Sequence, residues 1–79
     1  MYKVYVLKSQ VSGYRYVGQT SNLSKRITDH NSGESKYTKN RGPWALVYNE
    51  SYQSRSEAMN REKYLKTGKG REFLDRILV

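Results

Sequence analysis

The sequence predicts an α+β fold, a three-stranded antiparallel sheet with packed helices in the order β-β-α-β-α-α. Three features predict it. Two short runs rich in Val and Tyr lie either side of a Gln10-Val11-Ser12-Gly13 turn signal. Segments with helix-start residues at their heads follow. The third apolar run, Trp44 to Ser51, lies between helical segments and not beside the first two.

Tyr2 to Ser9 is nearly continuous in apolar character, as a strand buried on both faces requires. Tyr14 to Gln19 is the second strand and completes a hairpin. Thr20-Ser21-Asn22 supplies an N-cap for a helix over about Leu23 to His30, which Asn31-Ser32-Gly33 ends with residues tolerant of the left-handed conformation. Glu34 to Pro43 is a polar, basic loop. In the third strand Trp44, Leu46 and Tyr48 alternate against Ala45, Val47 and Asn49. Ser54 or Ser56 starts a longer helix ending at Thr67-Gly68, and Ser54 with Glu57 fits a capping box. Lys69-Gly70 then links to a last helix over about Arg71 to Leu78.

Seventy-nine residues suit one domain, 1–79, without repeat, linker or low-complexity segment. The core is thin at this length, and eight Tyr, one Trp and one Phe must fill much of it. No apolar run approaches the roughly 18 residues of a membrane span, and the N-terminal stretch lacks the long apolar region of a signal peptide. Cysteine is absent, which excludes a disulfide scaffold, a thiolate metal site and a cysteine nucleophile. A cytoplasmic setting is expected. The net charge of +8 calls for an anionic partner, nucleic acid before an acidic membrane.

On the first helix Leu23 and Ile27 form the buried stripe, and Arg26 and His30 stack about 60° round from it. The pair is either a basic helix rim or a phosphate clamp beside a proton-transfer group. On the second helix, with Ala58 as zero, Leu65 falls near −20°, Glu62 about +40° and Met59 about +100°. Glu62 therefore lies within the apolar arc and needs a partner. Lys66 at i+4, an arginine from another element, or a divalent cation would each serve. Tyr5 and Tyr16 lie on the two hairpin strands, where cross-strand packing alone would account for them. Phosphate-loop, zinc-protease and nucleophile-elbow templates do not fit.

The ordered set of motifs resembles the GIY-YIG nuclease superfamily along nearly the whole chain. Lys3-Val4-Tyr5 stands for the first signature triad and Tyr16-Val17-Gly18 for the second. Gln19-Thr20-Ser21-Asn22-Leu23, Arg26 and His30-Asn31-Ser32-Gly33 follow. Lys36-Tyr37-Thr38-Lys39, Pro43-Trp44 and Leu46-Val47-Tyr48 are similar to small stand-alone UvrC-like endonucleases, and Glu57-Ala58, Arg61-Glu62-Lys63 and Lys66 complete the pattern. The resemblance implies a GIY-YIG-type endonuclease hydrolysing phosphodiester bonds in DNA, with RNA as the other substrate, and structure-specific work in repair or recombination. It implies Tyr5 as general base or water-orienting group, with Tyr16 supporting it or the scissile phosphate. Arg26 would stabilise the charged transition state, and His30 would assist proton transfer or contact phosphate. Glu62 would hold one Mg²⁺ or Mn²⁺. Arg26, His30 and the metal are expected to lower the phenol pKa of Tyr5 from its usual 10 or so.

Two departures stand out. The first triad lacks its Gly and Ile, and Leu74 stands roughly where several members carry an Asn. Relatives often attach the domain to DNA-binding or partner modules, so target choice here falls to the chain's own basic surface or to a protein partner. Lys36, Tyr37, Lys39, Arg41 and Lys66 are the expected nucleic-acid contacts, with Tyr37 able to stack on a base or sugar. A non-catalytic nucleic-acid-binding module and a basic accessory subunit are the competing readings.

Overall fold

The computed structural model describes residues 1–33, 38 and 41–78. β1 (Tyr2–Ser9) and β2 (Arg15–Thr20) form an antiparallel hairpin, α1 (Leu23–Ser32) follows, and β3 (Trp44–Tyr52) returns antiparallel to the other side of β1. α2 (Arg55–Leu65) and α3 (Gly68–Ile77) end the chain. The element order is the expected β-β-α-β-α-α, and the sheet order is β2-β1-β3.

β1 is therefore the central strand, which explains its unbroken apolar run. Its odd and even residues feed two separate cores. Val4 and Val6 pack with Val17, Ala58, Leu65 and Leu74 beneath α2 and α3. Tyr5 and Leu7 pack with Trp44 beneath α1, where Tyr16, Leu23 and Ile27 join them.

The caps on α1 and α2 are those the sequence suggests. Asn22 Oδ1 accepts from the Lys25 amide at 3.2 Å, and Gly33 closes α1 with φ 86°. Ser54 Oγ accepts from the Glu57 amide at 3.2 Å and donates to Glu57 Oε1 at 2.9 Å. α1 runs two residues beyond His30, and β2 begins at Arg15 and not at Tyr14.

Two expectations need larger correction. First, the expected link at Lys69-Gly70 is helix. Thr67 caps α3 by accepting from the Gly70 amide at 3.2 Å, so the turn from α2 into α3 is a single capped corner. Second, Trp44, Leu46 and Tyr48 do not share one face. Val6 pairs with Tyr48 while Leu7 pairs with Leu46, so Val47 is an extra residue in a β-bulge. The bulge turns Tyr48, Glu50 and Tyr52 toward α2.

There Glu50 becomes the centre of a network that the sequence does not announce. Arg61 of α2 donates to Glu50 Oε1 from Nε at 2.9 Å and to Oε2 from Nη2 at 3.0 Å. The Tyr48 and Tyr52 hydroxyls donate to the same carboxylate. Burial pushes the Glu50 carboxyl up, but these donors outweigh it and hold its pKa below the usual value. Arg61 also lies 5.1 Å from the Tyr64 ring centroid and 5.0 Å from that of Phe73. The fork ties α2 to β3 one residue before Glu62. Met59 falls outside the buried arc and is exposed, while Ala58 and Leu65 are buried.

Gly70 is the tightest point of the α2–α3 corner. A Cβ there would stand 2.1 Å from the Tyr64 carbonyl oxygen and 2.5 Å from Leu65 Cα, both backbone atoms that cannot rotate away. Gly70→Ala is expected to lower the stability of the fold by about 2 kcal/mol or more, the scale of core overpacking. Gly68→Ala, where a Cβ meets nothing within 4 Å, is expected to be near neutral. Urea unfolding of the two variants checks this, and equal midpoints would exclude the proposed clash.

Candidate active site

The site grows from Tyr5, at the middle of the central strand and 1% exposed. Its cross-strand partner is Gly18, which closes the second sequence triad. A Cβ at Gly18 would lie 2.6 Å from the Tyr5 hydroxyl and 2.7 Å from its Cζ. Glycine is thus the residue that lets the phenol lie across β2. Tyr16, two residues earlier on β2, sets its ring centroid 6.2 Å from that of Tyr5.

α1 brings the other half. The Tyr5 hydroxyl lies 2.9 Å from His30 Nε2, and His30 Nδ1 lies 2.7 Å from Thr38 Oγ1. His30 is 2% exposed, so it is a core residue, where the helix wheel puts it at the edge. Tyr16 covers it, with centroids 4.8 Å apart. Burial first, then the Arg26 cation, pushes the imidazole pKa below 6.5, against a smaller opposing effect of Asp29. A neutral imidazole donates from one nitrogen and accepts at the other. With Nδ1–H donating to Thr38, Nε2 accepts the Tyr5 proton, and the three side chains form one continuous chain.

Arg26 interacts with both phenols, and its own pKa is raised mainly by the hydrogen bond to Tyr5. The expected lowering of the Tyr5 pKa does not occur. Burial dominates and carries it up to about 12, although the Arg26 hydrogen bond and charge pull it down; Tyr16 and Glu62 push it further up. The phenol therefore stays protonated at neutral pH, and its proton has a neighbouring imidazole to go to.

Glu62 is placed within electrostatic reach of Tyr5, and its side chain is 23% exposed. Of the partners open to it, the structure supplies Lys66, whose Nζ donates to Oε2 at 2.7 Å. Among the described residues no three His, Cys, Asp or Glu side chains gather as a metal cage. A lone carboxylate nevertheless suits Mg²⁺, which completes its octahedron with waters and phosphate oxygens.

Tyr5, Tyr16, Arg26 and His30 thus meet, and Glu62 acts on Tyr5 from α2. Lys66 lies beside Glu62, and Arg41 lines separate hollows with Tyr14. Lys36, Tyr37 and Lys39 lie outside the described residues. Leu74 is a buried core residue.

Three positioning groups escape the sequence reading. Thr38 is 1% exposed, and its carbonyl accepts from Trp44 Nε1 at 3.1 Å. Asn31 reads the backbone of Trp44 twice, accepting from its amide at 2.7 Å and donating to its carbonyl at 3.1 Å. The pair locks the end of α1, and so His30, to the start of β3. Ser9, also buried, donates to the Arg41 carbonyl at 2.7 Å. Only Ser9 follows an apolar run; Asn31 and Thr38 stand among mostly polar residues, where a capping or turn role equally explains them, so no local pattern marks their part in the site.

A protonated phenol bonded to a neutral imidazole, under a guanidinium that acts on two tyrosines, suits proton transfer beside an anionic group. The arrangement lies on a three-stranded α+β domain, and the comparisons with known proteins show the family to which that domain belongs. The GIY-YIG catalytic domain matches residues 1–73, and the chain belongs to the GIY-YIG family, a nuclease family. Its relatives include a UPF0213 protein of Staphylococcus haemolyticus, 48% identical over 65 residues that make up 81% of this chain and 78% of that one. A UPF0213 protein of Halobacterium salinarum is 42% identical over 67 residues, 84% and 86% of the two chains. The solution NMR structure of the UPF0213 protein BH0048 from Bacillus halodurans is similar with a TM-score of 0.59 and 36% identity, over 98% of this chain and 85% of that one.

His30 is the only histidine of the sequence, so its ring-proton NMR signals are unambiguous. Their titration midpoint is expected below 6.5. Because folding favours the neutral ring, the stability His30 contributes is complete above the unfolded-state value near 6.5 and is lost as pH falls toward the folded value. Thr38→Val removes the Nδ1 partner and is expected to cost about 1–3 kcal/mol. A midpoint at or above 6.5 in the intact protein would contradict the buried, neutral imidazole.

Proposed function

We propose that the chain is a divalent-metal-dependent endonuclease that hydrolyses phosphodiester bonds in DNA. The observation that carries this reading is the chain of hydrogen bonds from Tyr5 through His30 to Thr38, with Arg26 acting on Tyr5. A buried phenol needs some hydrogen-bond partner for stability alone; the choice of a neutral imidazole at 2.9 Å, beside a guanidinium, is what favours proton transfer over binding alone.

In this reading the scissile phosphate lies against Arg26 and the Tyr16 hydroxyl. The attacking water gives a proton to Tyr5 Oη as Tyr5 passes its own to His30 Nε2. The water oxygen bonds to phosphorus, the bond to the leaving oxygen breaks, and solvent protonates that oxygen. The high pKa of Tyr5 is then no obstacle, because the phenol relays a proton and is never free phenolate. Arg26 meets the charge that builds on the non-bridging oxygens. Glu62 would hold the metal, which when bound neutralises charge on the leaving oxygen. Lys66, released from Glu62, is then placed to contact substrate phosphate. The positive charge of the chain, +8, supplies general attraction for the polyanion.

The test incubates purified protein with plain duplex, branched and single-stranded DNA, with Mg²⁺, with Mn²⁺ and with chelator. Cleavage is expected only with metal. Tyr5→Phe is expected to slow it by about 10²–10⁴-fold, the range of a lost proton-transfer group. Glu62→Gln is expected to slow it by at least about 10²-fold, as loss of charge stabilisation does. Wild-type cleavage no faster than that of these two variants would overturn the reading. Salt-dependent DNA binding without any cutting would leave the binding module in its place.

A further inference from the structure

Beside the candidate site a cleft of about 660 Å³ opens along the free edge of β2, between Tyr14, Arg15 and Tyr16 on one side and Lys66 and Arg71 on the other. It shares Tyr16 and Lys66 with the site. Beyond Tyr14 and Arg15 it continues into a second hollow of about 330 Å³ that reaches Arg41 and Trp44. The line of hollows is therefore edged with cations along its length, and Tyr14 stands exposed at the junction. One acidic group intrudes. Asp75, on α3 one helical turn after Arg71, accepts from Arg15 Nη2 at 2.7 Å, and its side chain is 67% exposed.

We propose that this cleft is the track for the nucleic-acid strand on one side of the scissile phosphate, with Arg15 and Arg71 on its phosphates. Asp75 holds the Arg15 guanidinium in place until a phosphate takes over its bond. The inference rests on the endonuclease reading for the position of the scissile phosphate.

Charge and shape both support it. An arginine fork suits a phosphate as it suits a carboxylate, so Arg15 can exchange one for the other without losing its donor pattern. An exposed ion pair is held weakly and yields to a competing polyanion. Among the described residues Arg71 has no ion pair, so its charge is available. Tyr14 offers a ring face to a sugar or base where the two hollows meet. Arg15, Arg71 and Tyr14 lie outside the expected contact set, while Lys66 and Arg41 of that set border the same line of hollows, so the strand would cross the molecule on the hairpin side.

The experiment measures binding of a fluorescein-labelled oligothymidylate by anisotropy, in chelator so that nothing is cut, across a range of salt. Arg71→Ala and Arg15→Ala are each expected to weaken binding about tenfold at ~0.1 M salt and to reduce the salt slope by about one, as loss of one phosphate contact does. Asp75→Asn is expected to tighten binding several-fold, and a gain cannot come from impaired folding. The gain should vanish in the Arg15→Ala background, because Asp75 acts through Arg15. Glu72→Gln, an equal change of net charge at an exposed position on the same helix, should do much less. Equal gains from Asp75→Asn and Glu72→Gln would reduce the effect to overall charge and overturn the proposal. So would unchanged binding in both arginine variants. A labelled duplex and an oligouridylate of the same length serve as further arms. Weaker binding of these by the wild type assigns the track to single-stranded DNA, and parallel losses across all three extend it to any phosphodiester strand. Metal-dependent cleavage by the wild type together with unchanged binding in the variants would remove the track and leave the endonuclease. The expected binding pattern without cleavage under any metal would do the reverse.

Discussion

Burying a phenol in the middle of the central strand is the constraint around which the molecule is arranged. Tyr5 lies between two sheet neighbours and beneath α1, and its hydroxyl must find a partner there or cost several kcal/mol. His30 is that partner. The ring can stay neutral because it is buried beside Arg26, and it can point correctly because Thr38 holds the opposite nitrogen. Gly18 clears the space over β2 that the phenol occupies. Asn31 fixes the end of α1 to β3, so the imidazole keeps its distance. Each of these residues can be understood as an answer to the demand set by one hydroxyl group.

The same demand explains why the site is built from two layers that scarcely share a core. Tyr5 and Leu7 belong to the apolar cluster under α1, and Val4 and Val6 to the cluster under α2 and α3. Glu62 comes from the second layer and still acts on Tyr5 in the first. The residue before it on α2, Arg61, is held by the Glu50 fork on β3. The bulge at Val47 is what brings Glu50 to that side.

The architecture was legible in the sequence because its signals are local. Turn residues, caps at Asn22 and Ser54, and an apolar run on β1 depend on near neighbours only. The residues of the candidate site stand out through the ordered motifs rather than through periodicity, since a helix wheel alone puts His30 at the edge of the core and leaves Glu62 with three possible partners. The bulge was not legible. One extra residue in β3 preserves the alternation of types in the sequence while reversing the faces. The start of α3 was missed because Gly68 and Gly70 read as a link, whereas Gly70 is there for the close approach of two helices. The direction of the Tyr5 shift was missed because counting nearby cations omits the desolvation that outweighs them.

Ion-pair strength separates the charges that hold the fold from those that can change partners. Glu50 is half-buried, grips Arg61 through two bonds and accepts from two tyrosines as well, so removing either partner would leave a buried charge uncompensated. The Lys66–Glu62 and Arg15–Asp75 bridges each leave one side chain more than half exposed to water, where such pairs contribute less than about 1 kcal/mol. A phosphate can displace the carboxylate from an arginine or lysine at that cost, and a divalent cation can displace the ammonium from Glu62. Both exchangeable bridges border the cleft beside Tyr16, through Lys66 and Arg15. The strong network lies with α2 and β3, where it supports the site without competing for what the site would bind.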